Sequence, residues 1–247
     1  MTQITQPREY DIVLGSQAPN LHGVVLGGIE GVKRRLASAS IQQRIAALKE
    51  ALSYGEAGLY LIVQAFLWNE SNEVKQAAYL LLQGRSEPKV KQVIWNFEYL
   101  QLQNLLGAGK WKEADQKTFA VMLNISGREK EGWLCQKNIE KFPCEHLRTI
   151  DRLWVEHSNG RFGFSVQAQI WQSLGDNPRS DYEKRCCFSE RVDWRVKNDW
   201  VLFDNLNFTL EAPKGHLPTR RSCSNSMFIE GDGGFWSFFS RFLICQI

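Results

Sequence analysis

Residues 146–171 read HLRTIDRLWVEHSNGRFGFSVQAQIW, and how this run is parsed decides the fold class. Leu147, Ile150, Leu153 and Trp154 recur at i, i+3, i+6 and i+7, the apolar stripe of a helix lying on a core. Ser158-Asn159-Gly160 closes that helix with residues that tolerate a left-handed backbone. The continuation is ambiguous. Phe162, Phe164 and Val166 alternate as in a strand, yet Phe164, Ala168 and Trp171 share one helical face and Gly175 can cap its end. No partner strand is evident, so the reading is a loop followed by a helix, and the protein is expected to be all-α.

Upstream, FEYLQLQNLLGAGKWKEADQKTFAVMLNIS (97–126) reads as two amphipathic helices with a turn at Gly107–Gly109. Earlier still the composition changes. Of nine tryptophans only Trp68, and of fourteen phenylalanines only Phe66, precede residue 95. A boundary is therefore expected near residues 86–100, dividing a helical domain (1–94) from an aromatic one (95–247). The first part repeats itself: RIAAL at Arg44–Leu48 is echoed by KQAAY at Lys75–Tyr79, 31 residues later, with GEAGLYLIVQAFLWNES (55–71) as the helix between. Paired alanines let helices approach closely. HEAT-type repeats and a plain helical bundle both fit this pattern. VLGGIEGVKRRL (25–36) has glycines before a helix but lacks the Lys-Ser/Thr of a phosphate loop, so it reads as a helix N-terminus.

Downstream, VDWRVKNDWVLFDNLNFTLEAPKGHLP (192–218) is irregular, with Pro213, Gly215 and Pro218 as breakers. A loop of this length in a compact domain is usually functional or disordered, and its aromatic residues argue against disorder.

The net charge of +3 gives no case for nucleic acid, and no run approaches the roughly 20 apolar residues of a membrane helix. The N-terminal residues carry no signal or transit pattern, so the chain reads as cytoplasmic. Six cysteines without a CxxC pair, and four histidines without zinc-type spacing, read as reduced thiols and no metal site. No acid, base or nucleophile constellation stands out, so no enzyme is expected. Asp115 and Asp151 read as capping or ion-pairing residues. What is unusual is aromatic density in the second part beside Arg161, Arg185, Arg191, Arg195, Arg220 and Arg221. A Trp/Phe-rich core with solvated arginines accounts for it; so does a cleft for a large flat ligand whose carboxylates pair with arginines.

The runs GKWKEADQKT (109–118), IEKFPCEHLRTIDRLWVEHSNGRFGFSVQAQIW (139–171), VDWRVKNDW (192–200) and APKGHLP (212–218) resemble, in order, the genomes-uncoupled tetrapyrrole-binding family. The resemblance runs from about residue 97 to the C-terminus and is of the cyanobacterial type with an N-terminal helical extension. It implies an all-helical domain shaped like a cupped hand, binding protoporphyrin IX or its magnesium derivative, without catalysis, in an apolar hollow closed by mobile loops. It further implies stimulation of magnesium chelatase in chlorophyll biosynthesis, with the large subunit of that enzyme as partner, and a place in the cytoplasm of a photosynthetic cell or at the periphery of its thylakoid membranes.

Carried over, Trp133, Leu134 and Ile139 line the hollow, and Trp194–Pro218 forms part of the lid. Trp194, Trp200, Phe203, His216 and Pro218 join the ligand-contact set, with Phe162 from RFGFSVQ; Phe164 is assigned to scaffold. His216 fits a rigid turn better than an axial ligand. Beyond GHLP the family carries arginines where this chain has Ser224 and Ser226 or Met227; Arg220 and Arg221, closer to Pro218, are assigned to the propionates. These departures leave room for a paralogue that binds haem or a bilin, or for a protein-interaction scaffold working through the helical repeats.

Overall fold

The structure is a computed structural model and describes residues 12–14, 24–175, 181–219 and 233–247. It is helical, and it divides into two compact units, Met1–Ile94 and Trp95–Ile247.

In the first unit, strands β1 (Ile12–Leu14) and β2 (Val24–Leu26) pair antiparallel, Ile12 opposite Leu26. Helices α1 (Gly28–Leu36), α2 (Ile41–Ala51), α3 (Gly55–Trp68) and α4 (Asn72–Leu82) follow. The internal echo extends to the caps. Ser40 accepts from Gln43 N at the start of α2, and Ser71 accepts from Val74 N at the start of α4. Each satisfies a donor that the first helical turn leaves free. The equivalent alanines Ala47 and Ala78 are fully buried. Gly58 explains why small residues recur here: a Cβ on it would lie 1.7 Å from Ala51 O, so only glycine lets α3 pass the end of α2.

Helix α5 (Pro88–Gly107) carries the chain from one unit into the other. In the second unit, α6 (Trp111–Ser126), α7 (Gln136–Glu140), α8 (Cys144–His157), α9 (Phe164–Ser173), α10 (Asp181–Arg191) and α11 (Gly233–Ile244) enclose an aromatic core. Trp154 is its centre. Its Nε1 donates to Thr118 Oγ1 at 2.9 Å, and Thr118 donates to Ala114 O at 2.9 Å, so the indole N–H is buried without loss. Trp111 and Phe162 pack beside it with ring centroids 6.0 and 6.4 Å away. A second aromatic group joins Phe164 and Trp171 of α9 to Phe188 of α10 and to Phe239 and Phe242 of α11. Buried Glu98 is paired with Lys117 Nζ at 2.5 Å, which keeps the carboxylate from standing uncompensated in the interior.

The loop-then-helix reading of residues 158–173 is what the structure has. Asn159 adopts φ 52°, Phe162 N donates to Ser158 Oγ at 2.8 Å, and α9 begins at Phe164. Its first turn is capped from outside: Asp151 Oδ1 on α8 accepts Ser165 N at 2.8 Å. The reduced-thiol expectation is corrected at one pair. Cys144 and Cys245 form a disulfide, 101 residues apart in sequence and so invisible to any spacing rule, while Cys135, Cys186 and Cys187 are free. No described helix is long and apolar enough to cross a membrane.

Candidate functional site

The motifs RFGFSVQ and APKGHLP, far apart in sequence, form one assembly. Arg161 Nε donates to Ala212 O at 2.8 Å, and Gly215 N donates to Arg161 O at 2.9 Å. Gly163 N donates to Leu217 O at 3.0 Å. Gln167 Nε2 donates to both Gly215 O (3.0 Å) and Pro218 O (2.8 Å). The Leu217–Pro218 peptide is cis. One residue further, Asp115 of α6 accepts from Thr219 N and, at 2.8 Å, from Thr219 Oγ1. The bonds of Gln167 and Asp115 are buried, where an unmet polar group costs about 1–3 kcal/mol. The C-terminal root of the long 192–218 loop is therefore fixed. Its other root is fixed by Trp194, whose N donates to Ser189 O (2.8 Å) and whose Nε1 donates to His216 O (2.8 Å).

Between these roots the chain turns outward. Strands β3 (Arg195–Val196) and β4 (Asp199–Trp200) form a two-residue hairpin with Lys197 and Asn198 at φ 50° and 72°, both left-handed as a type I′ turn requires. The hairpin and the segment after it leave Val196 46%, Leu202 59% and Leu210 44% exposed. Trp200 rests on the core edge with the guanidinium carbons of Arg185 and Arg195 at 5.5 and 5.9 Å from its rings. Arg195 is itself ion-paired with Glu190. Phe203 and Phe208 meet edge to face at 5.1 Å; Lys112 Nζ lies 5.7 Å from both rings and 2.9 Å from Asp204. In the segment before α7, Trp133 is 36% exposed beneath the Arg128 guanidinium, 5.0 Å from its ring.

The sequence-predicted residues thus divide. Trp133, Trp200 and Phe203 offer aromatic surface beside a cation. Leu134 and Ile139 are buried in the core cluster. Phe162, Trp194, His216 and Pro218 are enclosed: Phe162 fills the angle between Trp111 and Trp154, Trp194 braces the loop root, and Pro218 completes the turn held by Gln167. Arg220 and Arg221 lie outside the described residues. Of the cations beside these rings, Arg185 and Arg195 are among the arginines that the sequence sets beside its aromatic residues, whereas Arg128 and Lys112 carry no such signal. The VKND hairpin signal could have pointed to Arg185 and Arg195 by turning Trp200 back toward them.

His216 serves the turn. Its Nδ1 donates to Val192 O at 2.5 Å, and burial holds the imidazole below its usual pKa. His146, packed on Trp95 at 4.3 Å and bonded to Tyr99 OH, is lowered by burial too, against the opposing pull of Glu145. Both imidazoles are neutral in the fold, while the unfolded chain takes up protons on them below about pH 6.5. The unfolded state then binds more protons, so stability is full above that pH and falls as pH drops through it. Denaturant midpoints are expected to decline between about pH 7.5 and 6, less steeply in His216→Asn. Asp151 has the opposite sense, its carboxyl raised first by burial, but it acts at lower pH. Asp151 caps the start of α9, one of the roles its sequence reading gave it, and Asp115 holds Thr219 at the loop root.

The class defined by this geometry is a helical protein with a long, rooted loop presenting cation-flanked aromatic surface. A family model described as GUN4-like matches residues 93–230, more than half of the chain. The chain belongs to this family, as its four ordered motifs implied. It is 36% identical over 124 residues to the Ycf53-like protein of Synechocystis sp., covering 49% of this chain and 50% of that one. It is 30% identical over 141 residues to the chloroplastic tetrapyrrole-binding protein of Arabidopsis thaliana, covering 52% and 51%. The chain spans about half the length of the curated relatives it matches. Among solved structures, ligand-free Arabidopsis thaliana GUN4 aligns at 27% identity and a TM-score of 0.46, over 57% of this chain and 94% of that one.

Proposed function

We propose that this chain binds a tetrapyrrole without transforming it, and that protoporphyrin IX and its magnesium complex are its ligands. The observation that carries the reading is a cation set beside each of the rings of Trp200, Phe203 and Trp133 in a chain of the GUN4-like family, one of whose relatives is named for tetrapyrrole binding. A macrocycle laid on such surface buries several hundred Å² at about 25 cal/mol/Å², a gross gain of several kcal/mol. Arg185 and Arg195 would pair with its propionates, the geometry for which guanidinium is suited. Bound in this way, the pigment would be delivered to or taken from magnesium chelatase, and the first unit would brace the second or dock a protein partner.

Titration of protoporphyrin IX into the protein is expected to give saturable quenching of tryptophan fluorescence and a shifted Soret band at micromolar ligand. A linear, unsaturable quench without a band shift would sink the reading. A panel of porphyrin, magnesium porphyrin, haem and a bilin ranks the ligand, and chelatase assays with and without the chain test the partner.

A further inference from the structure

The surroundings of the Cys144–Cys245 disulfide are asymmetric. Cys144 opens helix α8 and is partly exposed, whereas Cys245, just past α11, is enclosed. The helix that this bond ties down also fills the core of the second unit. Phe239 lies flat on Trp171, with centroids 4.5 Å apart and planes 1° from parallel, and Phe242 stacks on Phe164 at 5.1 Å. Polar clamps hold the same helix. Arg241 donates twice to Phe142 O (2.8 and 2.6 Å), Ser237 Oγ donates to Glu140 Oε1 at 3.2 Å, and Arg148 donates to Cys245 O at 2.9 Å.

We propose that Cys144–Cys245 is a reversible redox site whose reactant is a dithiol protein of the thioredoxin class. Access chooses the sulfur that is attacked. A carrier thiolate adds to the reachable Cys144 Sγ, the S–S bond breaks, and Cys245 leaves as a thiolate that takes a proton from water. Arg148, already bonded to that residue's carbonyl, sets a positive charge beside it. The carrier's second thiol, as its thiolate, then attacks its own mixed-disulfide sulfur and releases Cys144 as a thiolate, which is protonated in turn. The net change moves two electrons and two protons from the carrier, which ends oxidised, to the pair, which ends as two thiols. The reverse reaction starts from Cys144, whose thiolate sits at the first turn of a 14-residue helix, a setting that favours the nucleophilic form.

Reduction leaves the aromatic seat and polar clamps of α11 in place but opens a covalent loop spanning 101 residues of sequence. The unfolded chain regains the freedom which that loop denied it, so the melting temperature is expected to fall by about 10 °C. The helix then holds to the core by non-covalent contacts alone and opens more often.

The test is peptide-level alkylation of the full native chain before and after incubation with a reduced thioredoxin-class protein, with melting followed in parallel. The expected result is a linked Cys144/Cys245 peptide before treatment and two labelled peptides after it, without denaturant. Labelling of both cysteines before reduction overturns the proposal. So does linkage of either one to Cys223, or reduction only in denaturant. A melting temperature unchanged by reduction overturns the tethering role. The Cys144→Ser/Cys245→Ser double variant is expected to melt with reduced wild type and to ignore reductant. Should it not fold, wild type with and without reductant gives the same comparison.

Discussion

Replacing Trp194 with alanine is expected to cost the second unit about 3–5 kcal/mol, the range for removing a large interior aromatic side chain. Trp194 is fully buried, packs edge-on against Phe188 at 5.6 Å and satisfies His216 O through its indole N–H. Alanine leaves a void and an orphaned carbonyl at the loop root together. Trp200, six residues on, should behave in the reverse way. Partly exposed and flanked by Arg185 and Arg195, it is expected to cost about 1 kcal/mol or less when cut to alanine, yet to weaken porphyrin binding roughly tenfold, near 1.4 kcal/mol. Chemical denaturation and fluorescence titration on both variants give four numbers. Equal effects of the two substitutions on stability and on binding would refute the division between interior and contact aromatics.

Gly163→Ala is expected to destabilise by about 3 kcal/mol or more, a large effect for one methyl group. Gly163 has φ 135° and ψ 162°, a region that essentially only glycine occupies. A Cβ there would come within 2.7 Å of Val155 Cγ2 and 2.8 Å of Asp151 Oδ1. That carboxylate caps α9 through Ser165 N, so relief of the clash loosens the helix start. The residue's own N–H holds Leu217 O, which carries the disturbance to the loop root. Thermal melts of Gly163→Ala beside a control such as Ala120→Gly, on a helix away from this contact, check it. A loss no greater than the roughly 1 kcal/mol a glycine costs in a helix would mean that the backbone there relaxes freely.

Much of the fold is legible in the sequence because helices announce themselves locally. The Leu147–Trp154 stripe, the Ser158-Asn159-Gly160 stop and the glycine turn after α5 each lie within a few residues of what they specify. The assembly of RFGFSVQ with APKGHLP is not legible. Arg161 and Gln167 reach main-chain carbonyls 48 to 51 residues away, and a carbonyl acceptor carries no side-chain signature. The Cys144–Cys245 pairing is hidden for the same reason of distance. At the site, Trp194 and Trp200 look alike as letters, and a two-residue hairpin at Lys197-Asn198 lies between an interior position and a surface one. Family resemblance marks such residues as belonging to a motif without saying whether they hold its shape or face outward.

The position of α11 has a consequence for how the protein is made. The first unit closes through helices adjacent in sequence, so it can mature while synthesis continues. The second unit cannot, because Phe239 and Phe242 are its partners for Trp171 and Phe164, and Arg148 waits for Cys245. Until that helix clears the ribosome, a half-built aromatic interior stands open to solvent. Chains dominated by such late, distant contacts fold slowly and expose sticky intermediates. On emergence, the second unit is therefore the part of this chain with most need of a chaperone.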